Sequence, residues 1–141
     1  MARIQIDFPT QVQFSTQITV RITDLNYGNH LGNDSVLSLI HEARVRFLQY
    51  LGYSELDLAG VGIIMSDAAI QFKKEAFYGD VLTIEVATGD FSRVAFDIYY
   101  RLKIVDQEIA VAKTGIVCFD YATRKVVAVP EAFLQKVHTT L

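Results

Sequence analysis

The chain has 141 residues, of which 51% are hydrophobic, and its formal net charge at pH 7 is −3. This length suits one domain, and the acidic balance argues against a nucleic-acid-binding protein, which normally carries a surplus of lysine and arginine. No apolar run approaches the ~18 residues of a membrane span, so we expect the abundant apolar side chains to be buried in the domain and in a homodimer or homotetramer interface.

The first half of the chain predicts a strand, a loop and a long helix. Apolar and polar residues alternate from Gln11 to Ile22, which is typical of a strand with one buried face. The segment from Asp24 to Asn33 is rich in Asn and Gly and predicts a loop. A helix follows to about Leu51, with possible N-caps at 33–35 and with Gly52 at its C-terminal end. Its apolar residues face most directions, so we expect protein around most of it.

The second half predicts four more strands and a closing helix. The strands cover Gly62–Glu75, Val81–Ala87, Arg93–Val105 and Glu108–Phe119, with Lys125–Val129 as a possible extension. Short connections, of which Tyr78-Gly79-Asp80 is the first, predict antiparallel hairpins between consecutive strands. Pro130 suits the first turn of a helix over Glu131–Val137. Together the elements predict an α+β fold in which a curved antiparallel sheet wraps around one central helix.

The cysteine and histidine residues predict neither a disulfide nor a metal site. Cys118 is the one cysteine and stands between apolar residues, so we expect a buried, unreactive thiol. The first residues lack the apolar stretch of a secretory signal, and together with the lone cysteine this predicts a cytoplasmic protein. His41 and His138 have no Cys or acidic residue at metal-ligand spacing.

Polar side chains are concentrated in the loop before the long helix, where Asp24, Asn26, Asn29, His30 and Asn33 occur. Backbone N–H groups at a helix start have no partner within the helix, and they suit a thioester carbonyl oxygen that becomes negative in the transition state. Asn, Asp and Gly are also common in turns and caps, so a purely structural loop stays open as an alternative.

These residues resemble the motifs of hot-dog thioesterases of the 4-hydroxybenzoyl-CoA and long-chain acyl-CoA type. That family has a D-x-D loop followed by H-V-N-N and by E-A-R on the central helix. The matching residues are Asp24, His30, Asn33, Leu37 and Glu42-Ala43-Arg44, followed by Ala69-Ile70-Gln71-Phe72 and by Tyr78-Gly79-Asp80-Val81-Leu82. The resemblance covers Val12 to Phe119 and implies one hot-dog domain over residues 1–141. It implies hydrolysis of an acyl-CoA or acyl-carrier-protein thioester, with no cofactor beyond the coenzyme A of the substrate.

One position departs from the family pattern. Asn26 stands where many members have the second Asp of D-x-D, the nucleophile or general base, and an amide cannot take a proton. His30 matches the family histidine, and a free imidazole has a pKa near 6.5, which suits a base at neutral pH. We therefore expect Asn26 or His30 to position a water, and the amide of Asn33 to hold the thioester oxygen.

Carboxylates elsewhere are further candidates for the base. Asp67 interrupts an apolar strand, and its parity places it with Ile63, Met65 and Ala69. Burying an acid there is costly unless it is hydrogen-bonded or lines a pocket. The resemblance implies that this strand borders the active site, often across a dimer interface. Asp67 is therefore the first choice, with structural pairing or simple exposure as the alternatives.

The remaining charged candidates each have a structural alternative. Glu42 matches the Glu of E-A-R, but it can also pair with Arg46 at i,i+4. Asp24 is expected to organise the loop. The candidates for the phosphates of coenzyme A are Lys73, Lys74 and Arg93, although lysines at a strand end often only improve solubility or protect the edge.

Two other functions stay open. Hot-dog hydratases and dehydratases of enoyl-CoA or acyl substrates carry D-x-N-P-x-H, whereas here Asp24 and His30 are six positions apart and Tyr27 replaces the proline. The amide at Asn26 would also fit a non-catalytic acyl-thioester-binding protein, because fold alone does not establish activity.

Overall fold

The computed structural model describes residues 3–139 and confirms the predicted α+β class. In chain order its elements are β1 (Phe14–Thr19), a 3₁₀ turn (Ile22–Asp24), α1 (Asn33–Tyr50), β2 (Gly62–Phe72), β3 (Val81–Gly89), β4 (Ala95–Ile104), β5 (Gln107–Asp120), β6 (Lys125–Val126) and α2 (Glu131–Thr139). The first strand is shorter than predicted at both ends. Gly32 is the N-cap of α1, so the expected caps at 33–35 lie inside the first turn. Gly52, with φ +89°, ends α1 as predicted.

All strand pairs are antiparallel, and the five longer strands lie in the order β1-β3-β4-β5-β2, with β6 beside β5. The hairpins β3–β4 and β4–β5 are confirmed. The predicted hairpin at Tyr78-Gly79-Asp80 is wrong, because β2 and β3 are separated by β5 and β4. The chain instead crosses about 14 Å, three strand spacings, through residues 73–80. This crossing passes the start of α1, where Leu31 donates to the carbonyl of Ala76 over 2.7 Å.

Helix α1 packs its apolar side on the concave face of the sheet. The buried helix residues include Val36, Ile40 and Phe47, and they meet alternate residues of β3, β4 and β5, such as Ile84, Ile98 and Ala112. The opposite side of α1 remains open, since Leu37 is 43% and Tyr50 is 60% exposed. The prediction of a helix enclosed on most sides is therefore wrong for this chain alone. The apolar helix residues form one broad stripe and a few exposed positions.

A β-bulge divides β2 into two registers. Met65 pairs with Ile116 and Asp67 pairs with Gly115, so one residue of β2, Ser66, has no partner in the register. An extra residue reverses which face the following side chains point to. Asp67 therefore lies on the outer face with Ala69, away from α1, and its predicted parity with Ile63 and Met65 is wrong. Among the helices of residues 3–139, none combines the length and apolarity needed to cross a membrane.

Candidate functional site

A cavity of about 280 Å³ opens beside the start of α1. Three parts of the chain line it: the end of the polar loop with the first turn of α1, the end of β2 with the crossing segment, and β5. The lining residues are His30, Leu31, Asn33, Val36, Phe72, Lys73, Lys74, Glu75, Ala76, Ile109 and Ala110. The cavity thus joins a helix start, a histidine, a carboxylate and two lysines above an apolar floor.

Asp24 holds the loop in shape, as predicted. Its side chain is almost fully buried and accepts hydrogen bonds from the backbone N–H of Arg21 (2.8 Å) and from the Arg21 guanidinium (3.3 Å). Its carbonyl accepts from Gly32 N–H at 3.0 Å, which fixes where α1 begins. The side chain and the carbonyl of Asp24 therefore anchor the loop, and His30 and Leu31 near its end line the cavity.

Asn26 lies behind His30 and shapes the turn that presents it. Its Oδ1 accepts from Gly28 N–H at 2.8 Å, an Asx turn, while Asn26 N–H donates to the His30 carbonyl at 2.9 Å. Its Nδ2 is 3.4 Å from Nδ1 of His30. The amide side chain therefore acts on the loop backbone and on His30, and it does not line the cavity. Asn29 completes the turn with φ 65°.

Glu75, which the sequence did not single out, faces His30. Its Oε1 is 3.8 Å from Nε2 of His30, and its side chain is 63% exposed. Nδ1 of His30 is 3.4 Å from the Leu31 carbonyl. If Nδ1 carries the proton and donates it to that carbonyl, Nε2 is left as an acceptor facing Glu75. A water could then hydrogen-bond to both groups at the cavity mouth.

The backbone donors at the start of α1 are open. The N-cap Gly32 has no side chain to accept from them, and the N–H groups of Asn33 and Asp34 make no hydrogen bond within residues 3–139. Asn33 is also on the cavity wall. Partial positive charge at a helix N-terminus adds to these donors. A carbonyl oxygen in the cavity would meet the N–H of Asn33 in the same cavity as His30.

The two lysines of the cavity differ in their partners. Lys73 Nζ is 2.6 Å from Oε1 of Glu108, so its charge is already paired. Lys74 is exposed and has no ion pair within the described part of the chain. Both backbone N–H groups donate to the Ile109 carbonyl, which holds this end of β2 against β5. Lys74 is therefore the cation with capacity for an anionic ligand.

Three of the candidate residues lie elsewhere. Asp67 is on the outer face of the sheet. Glu42 makes the predicted i,i+4 ion pair with Arg46 at 2.9 Å, on the side of α1 nearest β1. Arg93 precedes β4 at the end of the sheet opposite the crossing segment, roughly 26 Å away along β3. The structure therefore brings His30, Asn33, Lys73 and Lys74 together and leaves these three outside the cavity. Catalytic and phosphate-binding roles for them remain predictions.

The arginine of the E-A-R motif belongs to a buried polar network. Arg44 Nε donates to Glu55 (2.9 Å) and its Nη1 donates to the Tyr100 hydroxyl (3.2 Å), which is 2.9 Å from Thr114 Oγ1. Glu55 also lies 2.9 Å from His41. Desolvation opposes ionisation of Glu55, but the hydrogen bonds from His41 and Arg44 outweigh it and lower the pKa of Glu55.

Cys118 is fully buried, as predicted, and desolvation raises the pKa of its thiol to about 11. The thiol therefore carries almost no thiolate at neutral pH, and thiolate is the nucleophilic form. Cys118 lies on the concave face of the sheet and does not line the cavity of His30. It is a packing residue.

Comparison with known proteins agrees with the motifs. Residues 20–137 match the model of the thioesterase-like superfamily. A 1,4-dihydroxy-2-naphthoyl-CoA hydrolase from Microcystis aeruginosa is 30% identical over 100 residues, which are 69% of this chain and 72% of that protein.

Solved structures share the fold. A 1,4-dihydroxy-2-naphthoyl-CoA thioesterase from Synechocystis has a TM-score of 0.80 at 22% identity, over 89% of this chain and 95% of that one. A gentisyl-coenzyme A thioesterase has a TM-score of 0.78 at 17% identity, over 88% of this chain and 99% of that one. The chain therefore belongs to the thioesterase-like superfamily, and the predictions of a hot-dog fold and of a thioester hydrolase are confirmed at the level of the family.

Proposed function

We propose that the protein hydrolyses acyl-CoA thioesters in the cavity at the start of α1. The observation that supports this most directly is that one cavity contains open helix-start donors and the His30–Glu75 pair. The thioester oxygen would accept hydrogen bonds from the N–H groups of Asn33 and Asp34. Such preorganised donors stabilise the charge that develops on that oxygen.

We propose that the attacking water lies beside Nε2 of His30 and Oε1 of Glu75, within hydrogen-bond distance of both. Its oxygen bonds to the thioester carbon, and its proton passes to Nε2 of His30 or to the Glu75 carboxylate. The C–S bond then breaks, and the coenzyme A thiolate leaves and takes up the proton. General base catalysis of this kind contributes a factor of about 10² to 10⁴. Asn26 contributes by holding the backbone turn that presents His30, through its Oδ1 and its own N–H, and this role needs an amide or carboxylate oxygen and no proton transfer.

The substrate class is supported by the cavity and by the relatives. We propose that Lys74, which lines the cavity, binds a phosphate of coenzyme A, and the matched hydrolase from Microcystis aeruginosa is named for an aryl-CoA substrate. A carrier-protein thioester would present the same phosphopantetheine arm with fewer phosphates. A loss of affinity in Lys74→Ala for the coenzyme A thioester and not for the carrier-protein thioester of the same acid would identify coenzyme A as the carrier.

We also expect a homo-oligomer and a cytoplasmic location. β2 is an edge strand, and its Ile64 and Met65 are 38% and 49% exposed. An exposed edge with apolar side chains favours pairing with a second copy. Light scattering on the purified protein measures the mass, and a monomer at micromolar concentration would contradict the oligomer.

The test is thiol release from a panel of aryl- and alkyl-CoA thioesters with a disulfide reagent. His30→Gln should lower kcat tenfold or more, because the base is lost. Asp67→Asn tests the other assignment, since a similar fall there would favour Asp67 as the base. Hydration of crotonyl-CoA without thiol release would instead indicate a hydratase, and tight binding without turnover a non-catalytic protein.

A further inference from the structure

Lys73 lies on the cavity wall, but its charge is bound to a carboxylate outside the cavity. Its Nζ is 2.6 Å from Oε1 of Glu108, which stands beside Ile109 near the start of β5. Ile109 lines the cavity, whereas Glu108 does not. The Ile109 carbonyl accepts from the backbone N–H of Lys73 at 2.9 Å, so Lys73 and Glu108 are held as neighbours by the backbone. Because a lysine side chain is long and flexible, Lys73 can reach either Glu108 or an anion in the cavity.

Glu108 has a second cation beside it. Its Oε2 is 3.9 Å from Nη1 of Arg101 on β4. Arg101 is itself held in place, because its Nε donates to Glu85 at 2.7 Å and its guanidinium lies 4.4 Å from the centre of the Phe8 ring. Arg101 therefore stays beside Glu108 whichever way the Lys73 side chain turns. If Lys73 leaves, the Glu108 carboxylate still has a positive neighbour.

The ion pair between Lys73 and Glu108 is weak enough to exchange for another anion. The two side chains are 36% and 33% exposed, so water screens the pair. Exposed pairs of this kind change an equilibrium constant by a factor of roughly five or less. A terminal phosphate carries close to two negative charges at neutral pH, and a carboxylate carries one. A phosphate at the cavity mouth therefore competes well with Glu108 for Lys73.

We propose that Glu108 is a positioning residue that sets the affinity for coenzyme A by holding Lys73. When the substrate binds, Lys73 moves from Glu108 to a phosphate of coenzyme A, and Arg101 remains to compensate the charge of Glu108. This rests on the proposed hydrolase function for the identity of the ligand. Glu108 then weakens binding and Arg101 strengthens it, and both act through the same lysine.

The test measures the Kd of coenzyme A by calorimetry and the KM and kcat of an acyl-CoA thioester by thiol release. Glu108→Gln should lower Kd and KM about three- to fivefold, because Lys73 is no longer held, and should leave kcat unchanged. Arg101→Gln should raise both about threefold, because Glu108 then depends on Lys73 alone. Asp97 and Lys113 form a separate ion pair at 3.3 Å on the same outer face. Asp97→Asn and Lys113→Gln are therefore matched controls and should change Kd by less than about 1.5-fold.

Double variants distinguish this coupling from a general effect of charge. If Arg101 acts through Glu108, the variant with both Glu108→Gln and Arg101→Gln should bind coenzyme A as tightly as Glu108→Gln alone. A further rise in Kd would overturn the role of Arg101, because the arginine would then act only as a positive charge. Lys73→Ala should erase the response to Glu108→Gln. A response that survives Lys73→Ala would overturn the proposal, since Glu108 would then repel the ligand directly.

Dephospho-coenzyme A identifies which phosphate Lys73 contacts. A response to Glu108→Gln that disappears with this ligand indicates the 3′-phosphate, and one that persists indicates the pyrophosphate. Binding and turnover also separate the two proposals. If no thioester is cleaved but Kd follows the expected pattern, the role of Glu108 stands and the hydrolase function fails. If turnover is normal and Glu108→Gln leaves Kd and KM unchanged or raises them, the role of Glu108 alone is overturned.

Discussion

Glu75 and His30 face each other at 3.8 Å although one follows β2 and the other precedes α1. The contact exists because the crossing segment passes the helix start, where His30 and Phe77 form an isolated β-bridge. The two residues are therefore placed by backbone pairing and not by a side-chain contact of their own.

Glu75→Gln should lower kcat about a hundredfold, because it removes the carboxylate that polarises the attacking water. KM should change little, since the thioester oxygen is held by backbone groups. Steady-state thiol release measures both values. Glu131→Gln is the matched control on the exposed start of α2 and should stay within twofold of wild type. An unchanged kcat in Glu75→Gln would remove Glu75 from the mechanism.

Lys74→Ala should raise KM for an acyl-CoA about five- to tenfold and leave kcat unchanged, because a charge-assisted contact to a phosphate is lost. The N-acetylcysteamine thioester of the same acid lacks the nucleotide, so its KM should not respond. Lys125→Ala on β6 is the control for a change in net charge. Equal responses of both substrates would place Lys74 at the acyl group instead.

Arg44→Met should lower the free energy of unfolding by about 3 kcal/mol, because Glu55 and Tyr100 lose their partner in a largely buried network. Glu42→Gln removes the other Arg–Glu ion pair of α1, which is half-exposed, and should cost about 1 kcal/mol or less. Urea unfolding followed by circular dichroism measures both. Equal losses would show that burial does not distinguish the two pairs.

The stability of the protein should fall in acid in a way that depends on Glu55. The pKa of Glu55 is lowered in the folded state, so its contribution is complete above the unfolded value of about 4.5 and is lost as the pH falls through the folded value. Glu55→Gln should therefore unfold more easily at neutral pH and show a shallower decline in stability below about pH 4.5. The comparison uses urea midpoints across that range. Parallel curves for the two proteins would contradict this.

The local features of the fold were predictable, and the non-local ones were not. The alternation before Ile22 and the helical spacing after Asn33 follow from residue period, so the elements and the loop between them could be identified. The strand that pairs with β2 could not be predicted, because a short connection that contains Gly also permits a crossing to a distant strand. Glu75 was missed for this reason, although the charged run Lys73-Lys74-Glu75 was a possible signal.

The error at Asp67 has a separate cause. Parity along a strand assumes that every residue is paired, and the bulge at Ser66 breaks that assumption without any Gly or Pro to reveal it. Asn33 was identified because a helix start depends only on neighbouring residues, and His30 was identified because it matches the histidine of the family motif.

Gly32 leaves the start of α1 without a side-chain cap. A Ser or Asp in its place would cap α1 and strengthen the helix, although glycine at that position is weaker by only a few tenths of a kcal/mol. The new side chain would accept a hydrogen bond from the Asp34 amide, one of the two donors proposed for the substrate oxygen, and its Cβ would stand 2.6 Å from Oδ1 of Asp34. At position 32, the amino acid that gives the more stable helix therefore differs from the amino acid that leaves the backbone donors open for catalysis.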